Sequence, residues 1–396
     1  MTGTGRERFR IGLVGKIVIA MAVGVVAGLL LPTWGLRAVR TFECLFAGLL
    51  KFIVPLIVLA LVTSAIAEAG RGAGRMLLLT VTIAYVSTLF AGFFGYGVGV
   101  TVMPLALPDG FSTTLSAAGA AGEPFFKIKV PPICDVMTAL VLSVTVGLGI
   151  VFTGATALRR GFLELKEIVS KTVGGFFIPV LPWYIGAMIC NLAGGGALGP
   201  LFKSFLAVSL VGCGACFAVL VIQFAVACAL ARRNPVPIVL NMLPTFLTAF
   251  GTCSSAATIP VALGSSRRNG VSDETVDLVI PLCATVHLAG SISKAVVCAA
   301  AVSIADGKGL PLAAYATFIL ATSVTAVAAP GVPGGFIMCA VGAMASVLGF
   351  TPEQCSFAMA VYLATDGFSS ACNITGDGAV ALIVDRFAGK GKDVRT

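Results

Sequence analysis

Long apolar runs recur along the whole chain, and most of them have the length that a helix needs to cross a lipid bilayer. About 20 apolar residues span the hydrocarbon core as an α-helix, so the pattern predicts an all-α polytopic membrane protein. We predict eight transmembrane helices, at about 12–31, 42–68, 76–104, 133–157, 168–196, 204–231, 276–305 and 354–385.

Two further apolar segments, 235–265 and 311–349, are each interrupted by residues that disfavour a continuous helix. The interruptions lie at 251–255 and 329–335. A break in backbone hydrogen bonding is tolerated in a membrane only where protein or a water-filled cavity surrounds it. Paired interrupted segments indicate the binding site of a transporter. We therefore predict two re-entrant helical hairpins within an internal repeat, and an ordinary kinked span is the alternative for each.

Composition and charge support a membrane location. Hydrophobic residues make up 58% of the chain and charged residues 11%, whereas a soluble domain carries roughly 25% charged residues. The net charge of +9 comes from short Lys/Arg clusters between the apolar runs. With the N-terminus inside, most of these clusters fall on the inner side, as the positive-inside rule requires. We predict a multi-pass protein of the cell inner membrane with both termini cytoplasmic and no nucleic-acid partner.

The predicted last span carries two carboxylates. Asp366, Ser370, Asn373 and Asp377 fall within an arc of about 60° on an ideal helix and extend along about 16 Å of it. Ionisable groups inside a span usually mark a pathway or a site. The spacing suits two separate sites: Asp366 for a substrate ammonium, and Asp377 with Asn373 for a monovalent cation. A polar vestibule without a specific site is the alternative.

The predicted seventh span contains the only histidine of the chain, His287. We predict that His287, Ser291 and Lys294 share one helix face, because they are spaced i, i+4 and i+7. A role of His287 in proton coupling and a packed histidine with satisfied hydrogen bonds are both open. Lys294 either pairs with a carboxylate or extends towards the membrane surface.

The tips of the two predicted hairpins have different chemistry. Ser254 and Ser255 offer hydroxyls and unpaired backbone amides, which could hold a substrate carboxylate at the N-terminal end of a broken helix. The glycines of 331–335 allow close backbone approach and could act as a gate. A plain tight turn is the alternative at both tips. We find no metal triad, nucleophile–base pair or phosphate loop, so we do not predict an enzyme.

Motifs in five parts of the chain resemble the dicarboxylate/amino acid:cation symporter family, which includes bacterial glutamate, aspartate and serine/threonine transporters. The resemblance covers nearly the whole chain and is strongest over about 230–385. It is carried by 50–55, 253–260, 281–291, 331–334, and Asp366 with 373–377. The resemblance implies eight spans, two hairpins, inverted repeats, a homotrimer and an elevator-type movement.

On this resemblance we predict two groups of site residues. The predicted substrate site is made by Ser254, Ser255, Ser291, Val332, Gly334, Asp366, Ser369, Ser370 and Asn373. The predicted cation ligands are Thr285, His287, Asn373 and Asp377. The resemblance implies that Asp377 and Asn373 form one sodium site with the backbone near Cys283. It also implies a second site from Thr285 and carbonyls near 326–329.

Three positions depart from the family pattern. Members that carry acidic substrates usually have an arginine where this chain has Ser369, and arginine binds a carboxylate through two parallel hydrogen bonds. Ala289 replaces a carboxylate, which puts a third sodium site in doubt. His287 replaces an asparagine, which leaves proton coupling open.

These observations favour a sodium-coupled symporter of a small neutral amino acid such as serine, threonine or alanine. The alternatives are a proton- or sodium-coupled symporter of glutamate, aspartate or a C4-dicarboxylate, and, in another class, a substrate-gated channel. Sodium is the expected coupling ion, a proton is possible, and no cofactor is expected. We divide the chain into 1–132 with the first three spans, 133–231 with spans four to six, and 232–396 as the transport core.

Overall fold

The computed structural model describes residues 13–69, 75–108, 123–128, 130–134, 136–194, 198–326 and 334–388. All regular structure within these ranges is helical. The helices of the first half are α1 Leu13–Leu30, α2 Thr33–Ala69, α3 Arg75–Thr101, α4 Met103–Ala106, α5 Val136–Thr153, α6 Thr156–Thr172, α7 Ile178–Gly194 and α8 Leu198–Ala231. Those of the second half are α9 Pro235–Thr252, α10 Ser255–Arg268, α11 Asp273–Val286, α12 Ala289–Ala305, α13 Leu312–Ala326, α14 Gly335–Val347, α15 Pro352–Ala364 and α16 Asp366–Ala388.

Four of the described helical stretches are long and apolar enough to cross a bilayer. They are Met76–Thr101, Phe202–Ala231, Pro235–Thr252 and Asp273–Ala305. A pair bent by 49°, Thr156–Phe177 with Pro182–Asn191, would make a fifth. The architecture is that of a multi-pass membrane protein, and the total of eight spans stays a prediction.

The starts of two predicted spans differ most from the structure. The second predicted span begins at 42, but α2 begins at Thr33, because the charge of Arg40 is paired with Glu43 and Glu353 and so fits inside a helix. The fifth predicted span begins at 168, but α6 already begins at Thr156. A π-helical turn at Val173–Phe177 joins α6 to α7, and such turns allow a helix to bend.

Both interrupted apolar segments contain two helices that fold back on each other. Helices α9 and α10 pack together across a tip at Cys253 and Ser254, and α13 packs against α14. Cys253 has a left-handed backbone with φ of 51°, and the Ser254 hydroxyl accepts a hydrogen bond from the amide of Ala257 at 3.3 Å. A left-handed residue ends one helix and a serine N-cap starts the next, so the sequence itself explains this turn.

Two long segments of the second half are broken, and neither break was predicted, because 276–305 and 354–385 were each predicted as one span. Helix α11 ends at Val286 and α12 begins at Ala289, with His287 in an extended conformation. The prediction that His287 shares a helix face with Ser291 and Lys294 is therefore wrong, because the helix does not continue through the histidine. Thr365 similarly separates α15 from α16.

Helix α12 lies at the centre of the protein. It packs against α3, α8 and α16, and nearly all of its residues are buried. Small residues on all sides of this helix let its neighbours approach: the carbonyl of Ser293 lies 2.6 Å from where a Cβ on Gly95 of α3 would be. A helix that is buried on every side belongs to the core, and this one places the two breaks beside each other.

Candidate functional site

A cavity lies where the tips of the two hairpins meet the two broken segments. Its described lining comprises Cys253, Ser255, Ala284, Thr285, Leu288, Ser291, Gly334, Gly335, Phe336, Tyr362, Asp366, Ser370 and Asn373. Asp366 is the only charged side chain among these lining residues. The cavity thus combines one carboxylate with hydroxyls, an amide and two aromatic rings, which suits a small ligand that carries an ammonium.

Asp366 connects the last helix to the second hairpin. One carboxylate oxygen, Oδ2, accepts a hydrogen bond from the amide of Gly334 at 2.7 Å. The other, Oδ1, accepts one from the Ser369 hydroxyl at 3.3 Å. Asp366 is the first residue of α16, where the helix dipole favours a negative charge. The carboxylate is therefore fixed at the cavity wall by its own helix and by the N-cap residue of α14.

Asn373 satisfies the N-terminal end of α12. Its Oδ1 accepts hydrogen bonds from the amides of Gly290 at 2.9 Å and Ser291 at 3.2 Å. Its Nδ2 donates to the hydroxyl of Ser291 at 2.8 Å. The first amides of a helix have no partner within the helix, so Asn373 on α16 stabilises the break between α11 and α12.

Lys294 satisfies the C-terminal end of α15. Its fully buried ammonium donates to the carbonyls of Tyr362 at 3.0 Å and Thr365 at 2.9 Å. It also donates to the hydroxyls of Thr365 at 3.2 Å and Ser369 at 2.8 Å. The Tyr362 ring lies beneath it, with the ammonium 3.9 Å from the ring centre. Neither predicted role applies, since none of these partners is a carboxylate and the group stays in the interior.

His287 and Asp377 form a buried pair behind the cavity. Nδ1 of His287 lies 2.8 Å from Oδ1 of Asp377, and both side chains are fully buried. Nε2 lies 3.1 Å from the amide nitrogen of Gln223 and 3.0 Å from the hydroxyl of Ser87. An ionised carboxylate only accepts hydrogen bonds and an amide nitrogen only donates them, so Nδ1 carries the proton and Nε2 accepts from Gln223. A neutral imidazole satisfies all of these contacts.

One oxygen of the pair is left without a partner. Oδ2 of Asp377 is buried and has no hydrogen-bond partner among the described residues, and the same holds for the hydroxyl of Thr375. A buried, unpaired carboxylate oxygen is costly. Oxygen atoms of this kind are the ligands that a hard cation prefers, so Asp377 fits the predicted role of binding a transported cation.

Seven of the predicted site residues line the cavity: Thr285, Ser291, Ser255, Gly334, Asp366, Ser370 and Asn373. Ser254 lies outside this lining and caps α10. Ser369 is completely buried between Asp366 and Lys294. His287 and Asp377 lie behind the lining, and both ring nitrogens of His287 have protein partners. Val332 lies outside the described residues.

Sequence reasoning missed the aromatic part of the site and the partners of His287. Phe336 and Tyr362 stack with ring centres 5.7 Å apart, and both line the cavity. In the sequence they stand in ordinary apolar runs, so nothing distinguishes them. Gln223 and Ser87 lie in predicted spans as single polar residues, and an isolated polar residue in a span was the signal that could have found them.

Two comparisons with known proteins identify the family of this chain. A family model described as the sodium:dicarboxylate symporter family matches residues 13–387. The serine/threonine transporter SstT of Streptococcus suis (strain 05ZYH33) is 29% identical over 341 residues, which cover 83% of this chain and 93% of that protein. The family match includes every residue that lines the cavity.

Proposed function

Because the chain belongs to the sodium:dicarboxylate symporter family, we propose that it carries a small neutral amino acid into the cell together with sodium. As a member of this family it is a cation-coupled symporter of the membrane and not an enzyme. The preferred substrates are of the serine, threonine or alanine type, in keeping with the name of the Streptococcus suis relative.

The observation that carries the choice of substrate is the single charge of the cavity wall. Asp366 supplies a counter-charge for a substrate ammonium, and no described lining residue supplies a cation for a second substrate carboxylate. The α-carboxylate of an amino acid has Ser255 and the first turn of α10 beside it, where helix amides and the dipole favour an anion.

Lys294 does not replace the missing arginine at the cavity. An ammonium has three N–H donors, and the carbonyls of Tyr362 and Thr365 with the Ser369 hydroxyl engage all three. Lys294 is also absent from the lining. This arrangement favours a neutral amino acid over glutamate, aspartate or a C4-dicarboxylate.

Sodium is the proposed coupling ion. Asp377 has an unpaired oxygen, whereas His287 is held as a neutral imidazole by three partners, Asp377, Gln223 and Ser87. We further propose a homotrimer in the inner membrane, with cytoplasmic termini, in which 232–396 forms the core of a domain that moves by an elevator mechanism. These assignments follow the family resemblance.

Uptake into proteoliposomes tests the proposal. Labelled serine and glutamate are supplied with an inward sodium gradient, with a pH gradient alone, and with neither. We expect concentrative serine uptake only with the sodium gradient and little glutamate uptake. Glutamate uptake that excess serine leaves unchanged would contradict the substrate, and uptake driven by the pH gradient alone would contradict the ion. Substrate movement without coupled cation flux would indicate a channel.

A further inference from the structure

The oxygen atoms around the Lys294 ammonium resemble the surroundings of a bound monovalent cation. Two are backbone carbonyls, of Tyr362 and Thr365, and two are hydroxyls, of Thr365 and Ser369. Neutral oxygen atoms of this kind are typical ligands of hard cations. The carbonyls stand at the C-terminal end of α15, where the helix dipole favours a positive charge. The protein thus has a cation-binding environment filled by its own side chain.

The chain makes room for this lysine from a second helix. A Cβ on Gly212 of α8 would lie 3.1 Å from Cγ of Lys294, which is closer than an ordinary van der Waals contact. The glycine therefore leaves space for the lysine stem, and the ammonium reaches the break between α15 and α16 without displacing a neighbour.

The Lys294 charge is linked to Asp366 through one hydroxyl. Oγ of Ser369 accepts from the Lys294 ammonium at 2.8 Å and lies 3.3 Å from Oδ1 of Asp366. A cation near a carboxylate favours its ionised form. Lys294 thereby balances the charge of Asp366 from the side away from the cavity, and Asp366 still lines the cavity.

The buried charged groups around the site add up to a net charge of one negative unit. Among the described Asp, Glu, His, Lys and Arg side chains, the buried ones are Asp366, Asp377, Lys294 and His287. A separate buried pair, Arg40 and Glu43, lies on α2. His287 is neutral in its hydrogen-bond network, so two carboxylates face one ammonium. Burying net charge is expensive, and a zwitterionic amino acid adds none.

On the proposed function, we propose that Lys294 is a tethered cation: a covalently attached positive charge that takes the place of one transported cation. The loaded site then needs one mobile monovalent cation, held at Asp377, for each zwitterionic substrate. On this proposal, the second sodium site that the family resemblance implies at Thr285 is not needed for charge balance. Removing the Lys294 charge allows a second cation to travel with the substrate.

The test counts the charge moved with each substrate molecule. Wild-type protein, Lys294→Met, Lys294→Arg and Lys308→Met are reconstituted, and the reversal potential of uptake is measured at set substrate and cation gradients. Lys308 is the matched control because it lies in a loop with its side chain 46% exposed. We expect one positive charge per substrate for wild type, Lys294→Arg and Lys308→Met, and two for Lys294→Met.

Two results would overturn the proposal: a wild-type ratio of two or more, or an unchanged ratio in an active Lys294→Met protein. If that variant does not transport, the number of ²²Na⁺ ions bound per purified protomer decides, with two expected against one for wild type. If Lys294→Met does not fold, the charge moved per substrate is compared between Lys294→Gln and the wild-type protein instead. The charge ratio is measured with whichever substrate and cation the uptake panel identifies, so a wrong substrate or a proton in place of sodium is detected separately.

Discussion

The two broken helical segments of the core solve the same problem with opposite chemistry. At the break between α11 and α12, the unpaired groups are amides, and the neutral Oδ1 of Asn373 accepts from two of them. At the break between α15 and α16, the charged Lys294 donates to the carbonyls of Tyr362 and Thr365, which also accept backbone amides. Each break is stabilised by a side chain from the other segment.

The comparison shows that the direction of a helix end decides whether its cap accepts or donates hydrogen bonds. Helix amides need an acceptor, which an uncharged amide side chain provides, whereas carbonyls need a donor. Where the donor is a lysine, the cap adds a full charge to the interior, and a transporter has to balance that charge.

Asp366→Asn at the start of α16 should give the largest effect. The amide keeps the size of the side chain but loses the charge that meets the substrate ammonium, and a buried charge pair contributes about 2–5 kcal/mol. The KM for serine should rise roughly 30-fold or more, since about 1.4 kcal/mol corresponds to tenfold. Asp306→Asn, in the loop after α12, is the control in the same uptake assay. An unchanged KM would exclude Asp366 from substrate binding.

Asn373→Ala should destabilise the first break. The substitution leaves the amides of Gly290 and Ser291 without their acceptor, and each buried, unsatisfied donor costs about 1–3 kcal/mol. Chemical unfolding in detergent micelles should show the loss of stability together with a loss of uptake. Asn234→Ala removes an exposed N-cap at α9 and should cost only about 1 kcal/mol. Equal losses in the two variants would contradict the capping role of Asn373.

Gly376→Ala and Gly212→Ala should each disturb the side-chain network at one of the two breaks and leave the other unchanged. A Cβ on Gly376 would lie 2.5 Å from Oε1 of Gln223 and 3.3 Å from Cε1 of His287, so Gln223 has to move away from the histidine. His287 is the only histidine, so its imidazole gives a single set of NMR signals in labelled protein. These signals should shift in Gly376→Ala and stay unchanged in Gly212→Ala, which affects Lys294 instead. Signals that shift equally in both variants would show that the two networks are coupled.

Arg267→Ala should have the smallest effect. Arg267 pairs with Asp273 at 2.7 Å and with Asp277 at 2.5 Å, but all three side chains are at least 42% exposed. Exposed ion pairs contribute little, because water and salt screen them. The thermal midpoint in micelles should not change measurably at moderate salt. A large decrease would show that this end of α11 stabilises the break that follows it.

The hairpin tip at Cys253 and Ser254 could be predicted, whereas the break at His287 could not. At the first, a serine N-cap and a change from apolar to small polar residues are local signals. At the second, neither His287 nor Leu288 is a glycine or proline, and the sequence is compatible with a continuous helix. What ends α11 is its packing environment, since His287 bonds to Asp377, Gln223 and Ser87 on three other helices.

The sequence by itself determined the membrane class, the two hairpins and the residues that carry charge in the core, because hydropathy and the rarity of buried ionisable groups are local properties of a chain. Only the tertiary structure decided the partners of those charges. Lys294 meets Ser369 and His287 meets Asp377 across 75 and 90 residues of chain. Spacing along one helix cannot specify such contacts, since they depend on how separate helices pack and where each one breaks.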